Sequence, residues 1–277
     1  MVAVADVAAP APARTSGPRT RGARASRPWG RWIILVLFGA YFLIPLYAGL
    51  SFALTPDGSF SLGAFTGLVS AEGFTDAFGL SLSLALVTTV ITLALMVPTA
   101  IFVHLRLPAA MRVFEGITIL PIVIPPVVLI VGVLDVAPSW LKSTPYLLAL
   151  VYAVLTMPFA YRSLDSGLRA LPLKTLVEAS QSLGGGWFTT LFRVLLPNLR
   201  SALLSATILT VALVLGEYTM ATLDQYETFP VWIVVFSQDD AHVSVAASVA
   251  SLLVTWLLLI GISLIDRRRG RSTPGES

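Results

Sequence analysis

The stretch VEASQSLGGGWFTTLFRVLLPNLRSA, residues 177–202, is a long polar interruption between two strongly apolar parts of the sequence. It holds a single acid, Glu178, and three successive glycines at 184–186. Residues 172–183 have the apolar spacing of a short amphipathic helix, and the glycines predict its end because glycine adopts left-handed backbone geometry freely. A second amphipathic helix is predicted for WFTTLFRVLLP, residues 187–197. The stretch therefore predicts two short helices joined at glycines.

The composition around this stretch is that of a membrane protein. The chain has 277 residues, of which 56% are hydrophobic and only 12% are charged, and its mean hydropathy is +0.85. Soluble domains carry about a quarter charged residues, so most of this chain avoids water. The absence of cysteine excludes disulfides, thiol catalysis and thiolate metal sites. The two histidines, His104 and His242, lie far apart in sequence, and no metal or resident cofactor is predicted.

Six segments are apolar enough to cross a membrane, where a helical crossing takes about 20 residues. A further apolar run at Phe229–Phe236 is too short to span and predicts an interfacial or short re-entrant helix. The sequence thus predicts a disordered basic tail over residues 1–31, a transmembrane domain over 32–265 and a basic tail over 266–277. The predicted spans are residues 32–54, 80–103, 114–136, 146–161, 203–223 and 243–265.

The basic residues predict the orientation of these spans. They gather in four zones, before the first span, after the second, after the fourth and after the last, and these zones share one side only if six spans are present. The positive-inside rule then places both termini in the cytoplasm. The zones contain Arg14, Arg19, Arg21, Arg24, Arg27 and Arg31; Arg106 and Arg112; Arg162, Arg169, Lys174, Arg193 and Arg200; and Arg267, Arg268, Arg269 and Arg271.

Prolines interrupt the third predicted span. Pro125 and Pro126 are adjacent in ILPIVIPPVVLIVG, and each lacks an amide hydrogen and clashes with the preceding turn. The pair predicts a kink or break, which a membrane protein tolerates where neighbouring protein or a wet cavity satisfies the freed carbonyls. Two readings follow: a packed kink, or a bend that lines a solute pathway.

The polar stretch resembles the cytoplasmic loop of the permease subunits of bacterial ABC importers. That loop has the pattern Glu-Ala-Ala, three residues, Gly, nine residues, Ile, one residue, Leu-Pro. All of these spacings are matched here, and Ser180 and Val194 are small departures from Ala and Ile. The matching residues are Glu178, Ala179, Ser180, Gly184, Val194, Leu196 and Pro197.

The resemblance implies the type I, MetI-like importer permease fold in a bacterial inner membrane. In this family two coupling helices, here residues 172–197, sit in a cleft of a cytoplasmic ATPase, which is present as a dimer. A second permease, identical or homologous, completes the pathway, and an external binding protein delivers the solute. The chain lacks the phosphate-binding pattern Gly-x4-Gly-Lys-Ser/Thr, so a partner hydrolyses ATP and this chain is not an enzyme. The terminal arginine clusters could bind nucleic acid, but beside a span they are more simply topology anchors, so membrane lipid and no nucleic acid is predicted as a partner.

The segments LGEYTMATL and ETFPVWIV are similar to permeases for spermidine and putrescine, which implies a polyamine substrate. Ferric iron, thiamine, sulfate and aminoethylphosphonate are the alternatives within the same branch, and a secondary transporter is an alternative class. Glu217 and Tyr218 lie inside the fifth predicted span, where a carboxylate is costly and must face protein or a cavity. Glu217 is therefore either a pathway acid for a cation, together with Tyr218, Pro125 and Pro126, or a packing acid bonded to a Tyr or Thr of a neighbouring span.

Overall fold

The computed structural model describes residues 28–56 and 58–270, and the chain divides into two compact units, Met1–Pro45 and Leu46–Ser277. Helices and connecting turns make up these described ranges, and no strand is found among them, which confirms the all-helical fold class. The α-helices in chain order are α1 Pro28–Leu54, α2 Gly63–Gly67, α3 Phe74–Arg106, α4 Met111–Val123, α5 Pro126–Val136, α6 Ser139–Lys142, α7 Tyr146–Arg169, α8 Leu173–Ser182, α9 Trp187–Thr189, α10 Leu196–Asn198, α11 Arg200–Leu215, α12 Thr219–Leu223, α13 Phe229–Phe236 and α14 Ala241–Gly270.

Three single helices, α1, α3 and α7, are long and apolar enough to cross a membrane. They correspond to the first, second and fourth predicted spans. The fourth is longer than predicted, because α7 continues past residue 161 to Arg169. If each of two bent helix pairs also counts as one span, the described residues contain up to five candidates. The number six and the orientation remain predictions.

The third predicted span is broken where the two prolines stand. Helix α4 ends at Val123, α5 begins at Pro126, and the pair is bent by 92°. Residues 125 and 126 supply no amide hydrogens, so the regular bonding of a continuous helix cannot pass through them. The amides of Val128 and Leu129 instead bond to the carbonyl of Pro125, which starts the new helix. The predicted break is confirmed.

The fifth predicted span, residues 203–223, is wrong as a single helix. Helix α11 ends at Leu215, and the short helix α12 begins only at Thr219. Gly216 lies at the end of α11, and the carboxylate of Glu217 accepts hydrogen bonds from the first amides of α12. A side chain that caps a helix start in this way ends one helix and begins another, although most of the segment is apolar.

The last two apolar segments are both helical. The run Phe229–Phe236 forms α13, whose eight residues are too few to span, as predicted; whether it is re-entrant remains a prediction. Helix α14 begins at Ala241 and continues to Gly270, beyond the predicted end of the sixth span at 265. This helix contains the whole of the sixth predicted span, residues 243–265.

The predicted tails are only partly covered by the structure. Residues 1–27 and 271–277 lie outside the described residues, as does Asp57. Helix α1 already begins at Pro28, and α14 includes residues 266–270, so both helices extend into the ranges predicted as tails. Proline is well suited to a first helical turn, since the amide that it lacks has no intrahelical partner there.

Helices α3, α7 and α11 pack against one another and form the centre of the second unit. One of their polar contacts is a pair of buried hydroxyls. Thr92 and Thr156 are fully buried, and their Oγ1 atoms lie 3.1 Å apart, which joins α3 to α7. An apolar cluster at one end of this helix trio also contains Val177, Leu191 and Leu195 from the polar stretch. The stretch is therefore packed onto the ends of the spans.

Candidate functional site: a glycine-linked helical hairpin

The polar stretch folds into a helical hairpin, residues 173–198, in which α8 is joined by glycines to the segment that contains α9 and α10. Helix α8 ends in a hydrogen-bonded glycine turn. The amide of Gly184 donates to the carbonyl of Gln181 at 2.9 Å, and the amide of Gly185 donates to that of Ser180 at 2.9 Å. Gly184 has φ +79°, the left-handed geometry that favours glycine. The predicted helix end is confirmed.

A second glycine of the turn is required for a different reason. A Cβ atom on Gly185 would lie 2.6 Å from Oγ and 2.8 Å from the carbonyl oxygen of Ser180. By contrast, a Cβ atom on Gly186 would meet nothing within 4 Å. The sequence shows three equivalent glycines and cannot distinguish a strained φ at one position from a close approach at the next.

A buried hydroxyl pair holds the two arms of the hairpin together. The Oγ atom of Ser180 lies 2.8 Å from Oγ1 of Thr190, and Thr190 donates its own hydrogen to the carbonyl of Gly186 at 3.1 Å. Ser180 must therefore donate to Thr190. The permease pattern has alanine at position 180. The serine found here forms a hydrogen bond with Thr190 that alanine could not form. Sequence reasoning missed Thr190, because the pair is ten residues apart.

The second arm contains a turn of π-helix. This turn, Thr190–Leu195, lies between α9 and α10. Pro197 follows it in α10, and the chain then bends by 77° before α11. The prediction that Pro197 lies near the start of the fifth span is confirmed. Sequence periodicity did not predict the π turn or the size of the bend.

The outer surface of the hairpin combines one acid with large apolar side chains. Glu178 and Ala179 are exposed, Leu183 is 90% exposed and Phe188 is 75% exposed. Among the residues placed by the structure, Glu178 forms no ion pair. A shallow groove beside it has the lining residues Leu105, Arg106, Lys174, Val177, Glu178, Gln181 and Trp187.

The remaining residues of the loop pattern lie closer to the spans. Leu196 is half-buried, and Pro197 is exposed. The apolar inner face of the hairpin, including Val177 and Leu195, packs on Leu164 and Leu168 of α7. The hairpin thus has an exposed face for a partner and a buried face that contacts the spans.

The predicted pathway residues Glu217 and Tyr218 follow the end of α11 that is farther from the hairpin. This helix has 16 residues, which corresponds to about 24 Å at 1.5 Å per residue. Tyr152 on α7 donates its hydroxyl to Oε2 of Glu217 at 3.0 Å, and the Met220 amide donates to Oε1 at 2.9 Å. Both oxygens of Glu217 therefore accept hydrogen bonds, which is the packing arrangement that the sequence left open.

The structure brings some of the predicted pathway residues close together. Helix α12, which follows Tyr218, packs against α5, which begins at Pro126. Pro125 and Pro126 are exposed, and Tyr218 is 39% exposed. The pathway role of these residues remains a prediction. Among the described residues there is no group of three or more acids or histidines that could hold a metal ion.

Comparison with known proteins places these features in a family. Residues 85–271 match the family described as "Binding-protein-dependent transport system inner membrane component". The chain is 26% identical over 255 residues to the molybdenum transport system permease protein ModB of Mycobacterium bovis and to that of Mycobacterium tuberculosis, covering 84% of this chain and 93% of each relative. It is 23% identical over 210 residues to the probable transport system permease protein NifC of Clostridium pasteurianum, covering 68% of this chain and 72% of NifC.

The fold is also similar to a solved structure. In the crystal structure of a bacterial ABC transporter involved in the import of the acidic polysaccharide alginate, one chain matches with a TM-score of 0.63. The match covers 91% of this chain and 99% of the other, at 14% sequence identity. At that identity the similarity establishes the fold alone.

Proposed function

Because the chain belongs to the family of binding-protein-dependent transport system inner membrane components, we propose that it forms, with a second permease, the pathway of an importer for a small oxyanion of the molybdate kind. The chain is the transmembrane permease of an ABC importer in a bacterial inner membrane. Such importers work with an ATPase and a solute-binding protein. The family consists of transport permeases rather than enzymes.

The hairpin carries the proposed coupling to the ATPase. Its exposed acid and apolar side chains, Glu178, Leu183 and Phe188, suit a partner surface that is partly basic and partly apolar. Its buried face packs on α7, so a force applied to the hairpin reaches the spans. In this proposal the ATPase hydrolyses ATP as a dimer, and its movement changes the access of the pathway through the hairpin.

The proposed substrate class rests on the relatives and on Glu217. Both ModB proteins are named for molybdenum transport and are covered over nearly their whole length. The polyamine expectation rests on the similarity of short segments to polyamine permeases, with a pathway role of Glu217 as one of two alternatives. In the structure this carboxylate accepts bonds from Tyr152 and from two amides of α12. Its charge is used to hold α12, and none of the relatives described above is named for a polyamine. An oxyanion is therefore the better-supported solute.

The substrate class is tested on the whole importer in liposomes. This chain is purified with its ATPase, its second permease and the binding protein, and ATP hydrolysis is measured with molybdate, sulfate or spermidine outside. We expect molybdate to stimulate hydrolysis and spermidine to leave it at the basal rate. Stimulation by spermidine alone would show that the substrate is a polyamine and not an oxyanion. Stimulation by neither molybdate nor spermidine would reject both substrate classes.

The coupling role is tested with Glu178→Ala and Gly184→Val. Both variants should insert and assemble but lose transport, since one removes the exposed acid and the other opposes a left-handed φ. Glu72→Ala, another exposed acid, and Gly58→Val, at φ +74° with nothing within 4 Å of its Cβ position, are matched controls outside the hairpin. Wild-type transport by the two hairpin variants with the ATPase bound would reject the coupling role.

A further inference from the structure

A buried ion pair joins the ends of α3 and α7 next to the hairpin. Nε2 of His104 lies 3.0 Å from Oδ1 of Asp165, and the two side chains are 5% and 18% exposed. The other carboxylate oxygen, Oδ2, accepts a hydrogen bond from Nε of Arg169 at 2.8 Å. These three residues are called the ion triad below. The sequence predicts no metal site at His104 and carries no signal for this contact.

The partners of His104 determine which protons its ring carries. Nδ1 lies 2.9 Å from the carbonyl oxygen of Ala100, and a carbonyl can only accept, so Nδ1 must carry a hydrogen. On the other side Nε2 faces a carboxylate whose second oxygen already accepts from Arg169. Neither Nε2 nor Oδ1 has a hydrogen-bond partner among the described residues, so their 3.0 Å contact is an electrostatic approach rather than a hydrogen bond. Because an unprotonated Nε2 would be repelled by the carboxylate at this distance, the contact is attractive only with a positively charged ring.

The ion triad lies directly before the hairpin in the fold. Asp165 and Arg169 occupy the last turns of α7, and α8 begins at Leu173. An open cavity of about 330 Å³ separates part of the triad from the first turn of α8. His104 and Arg169 line it on one side, and Lys174 and Thr175 of α8 line it on the other. The hairpin is thus packed through its apolar face but has free space beside the triad.

We infer that His104, Asp165 and Arg169 form a positioning unit that makes the ends of α3 and α7 move together when the hairpin is displaced. This inference rests on the proposed coupling role of the hairpin. The chain leaves α7 through only three residues before α8 begins, so displacement of α8 is applied first to the end of α7. The 3.0 Å contact between Nε2 and Oδ1 then adds to the packing between α3 and α7 in transmitting this displacement to the end of α3.

Two other titratable groups interact electrostatically with the triad and must be considered when a His104 variant is tested. Tyr161 on α7 and Glu115 on α4 are the further titratable groups that interact with Asp165 or Arg169. The Tyr161 hydroxyl is buried without a hydrogen-bond partner among the described residues. Among the described residues neither group forms a hydrogen bond or an ion pair with His104.

The test compares variants by the number of solutes imported per ATP hydrolysed, measured on the complete importer in liposomes with molybdate as the probe. His104→Gln retains a donor toward Asp165 but no charge, and His104→Lys retains the charge. Couplings between sites typically change an equilibrium by about 5- to 150-fold, so we expect His104→Gln to lower the ratio at least about fivefold. In His104→Lys the ratio of solute imported to ATP hydrolysed should fall much less than in His104→Gln.

An unchanged ratio in His104→Gln would overturn the inference, and so would equal losses in His104→Gln and His104→Lys. If His104→Gln does not assemble, Arg169→Gln decides the question, since that side chain is exposed and its loss weakens only the support of Asp165. An unchanged ratio in Arg169→Gln would then reject the unit. Glu178→Ala is measured in parallel: if it couples normally while His104→Gln does not, the hairpin assignment fails and the ion pair acts by another route.

Discussion

Gly167 on α7 and Ala202 on α11 approach so closely that a Cβ atom on Gly167 would lie 2.5 Å from the Cβ of Ala202. Real Cβ atoms do not meet at that distance, so the two helices can pack this closely only because residue 167 has no side chain. Small residues at such crossings are the usual means of close helix packing in membranes, where apolar side chains find lipid equally favourable. The contact lies in the last turn of α7, where Gly167 stands between Asp165 and Arg169 in the sequence.

Gly167→Ala should therefore separate α7 from α11 and destabilise the fold by about 1–3 kcal/mol, the usual cost of overpacking. Ala202→Gly in the same chain should recover most of this loss. Thermal unfolding of the purified complex in detergent measures both effects. Gly79→Ala is the matched control, because a Cβ atom on this glycine of α3 would meet nothing within 4 Å. Equal stability of the two alanine variants would contradict the close contact.

Glu217→Gln should destabilise the joint between α11 and α12. The amide group of glutamine can replace only one acceptor oxygen, and its NH2 group would face the amide of Met220, which donates to the carboxylate at 2.9 Å in the native chain. Hydrogen bonds to charged groups contribute about 1.5–3 kcal/mol each, so a loss in that range is expected. Tyr152→Phe removes a single donor and should cost less.

Solute uptake separates this packing role from a pathway role for Glu217. If the acid only holds α12, uptake per folded complex should be preserved in Glu217→Gln and in Tyr152→Phe. A loss of uptake in Glu217→Gln that exceeds the loss of folded complex, with Tyr152→Phe normal, would support the pathway acid.

These features also show which parts of the fold can be predicted from sequence. Helices α1, α3 and α7 could be predicted because a sufficient apolar length is a local property of the sequence. The break at Pro125 and Pro126 could be predicted because a missing amide hydrogen acts within one turn. The hairpin could be predicted because its glycines and its apolar spacing are contiguous.

The parts that could not be predicted depend on distant partners. The segment 203–223 is mostly apolar, and its break at Glu217 depends on a carboxylate that also binds Tyr152, 65 positions earlier in the chain. Thr190 pairs with Ser180, and His104 pairs with Asp165, in each case across two helices. Hydropathy and spacing carry no signal for such contacts, so residues that look incidental in the sequence can hold two elements together.

Gly185→Ala should disrupt the hairpin more than Gly186→Ala does. The new methyl group at 185 would overlap Oγ and the carbonyl oxygen of Ser180, and only the Oγ atom can rotate away, at the expense of its bond to Thr190. A cost of about 1–3 kcal/mol is expected at 185. Residue 186 has φ −73° and open space around it, so its alanine variant is the control.

Hydrogen exchange of the hairpin amides measures the effect of Gly185→Ala directly. Exchange in Gly185→Ala should be faster across residues 180–190, while Gly186→Ala should match the wild type. Transport should fall with the same ranking if the hairpin couples the permease to its ATPase. Equal exchange in the two variants would show that Ser180 accommodates the methyl group and that the close approach is not required.

The partly buried carboxyl of Asp224 should make the stability of the folded chain depend on pH. Asp224 follows α12, outside the candidate spans, and its Oδ2 atom is buried without a hydrogen-bond partner among the described residues. Burial raises the pKa of its carboxyl from 3.8 to about 6. Because the pKa is higher in the folded chain than in the unfolded chain, the folded state holds this proton more tightly. The stabilisation is fully present below about pH 4 and is lost as the pH rises through about 6.

Asp224→Asn imitates the protonated carboxyl at every pH and should remove this dependence. Between about pH 5 and pH 7.5 the unfolding midpoint of the wild-type complex should fall relative to that of Asp224→Asn, so that the variant is the more stable of the two at the higher pH. Asp239→Asn removes an exposed acid nearby and should keep the wild-type profile. Parallel profiles for wild type and Asp224→Asn would mean that water or a partner chain reaches the Asp224 carboxylate in the assembled importer. In that case ionisation of Asp224 would no longer oppose folding, and the joint after α12 would be as stable at high pH as at low pH.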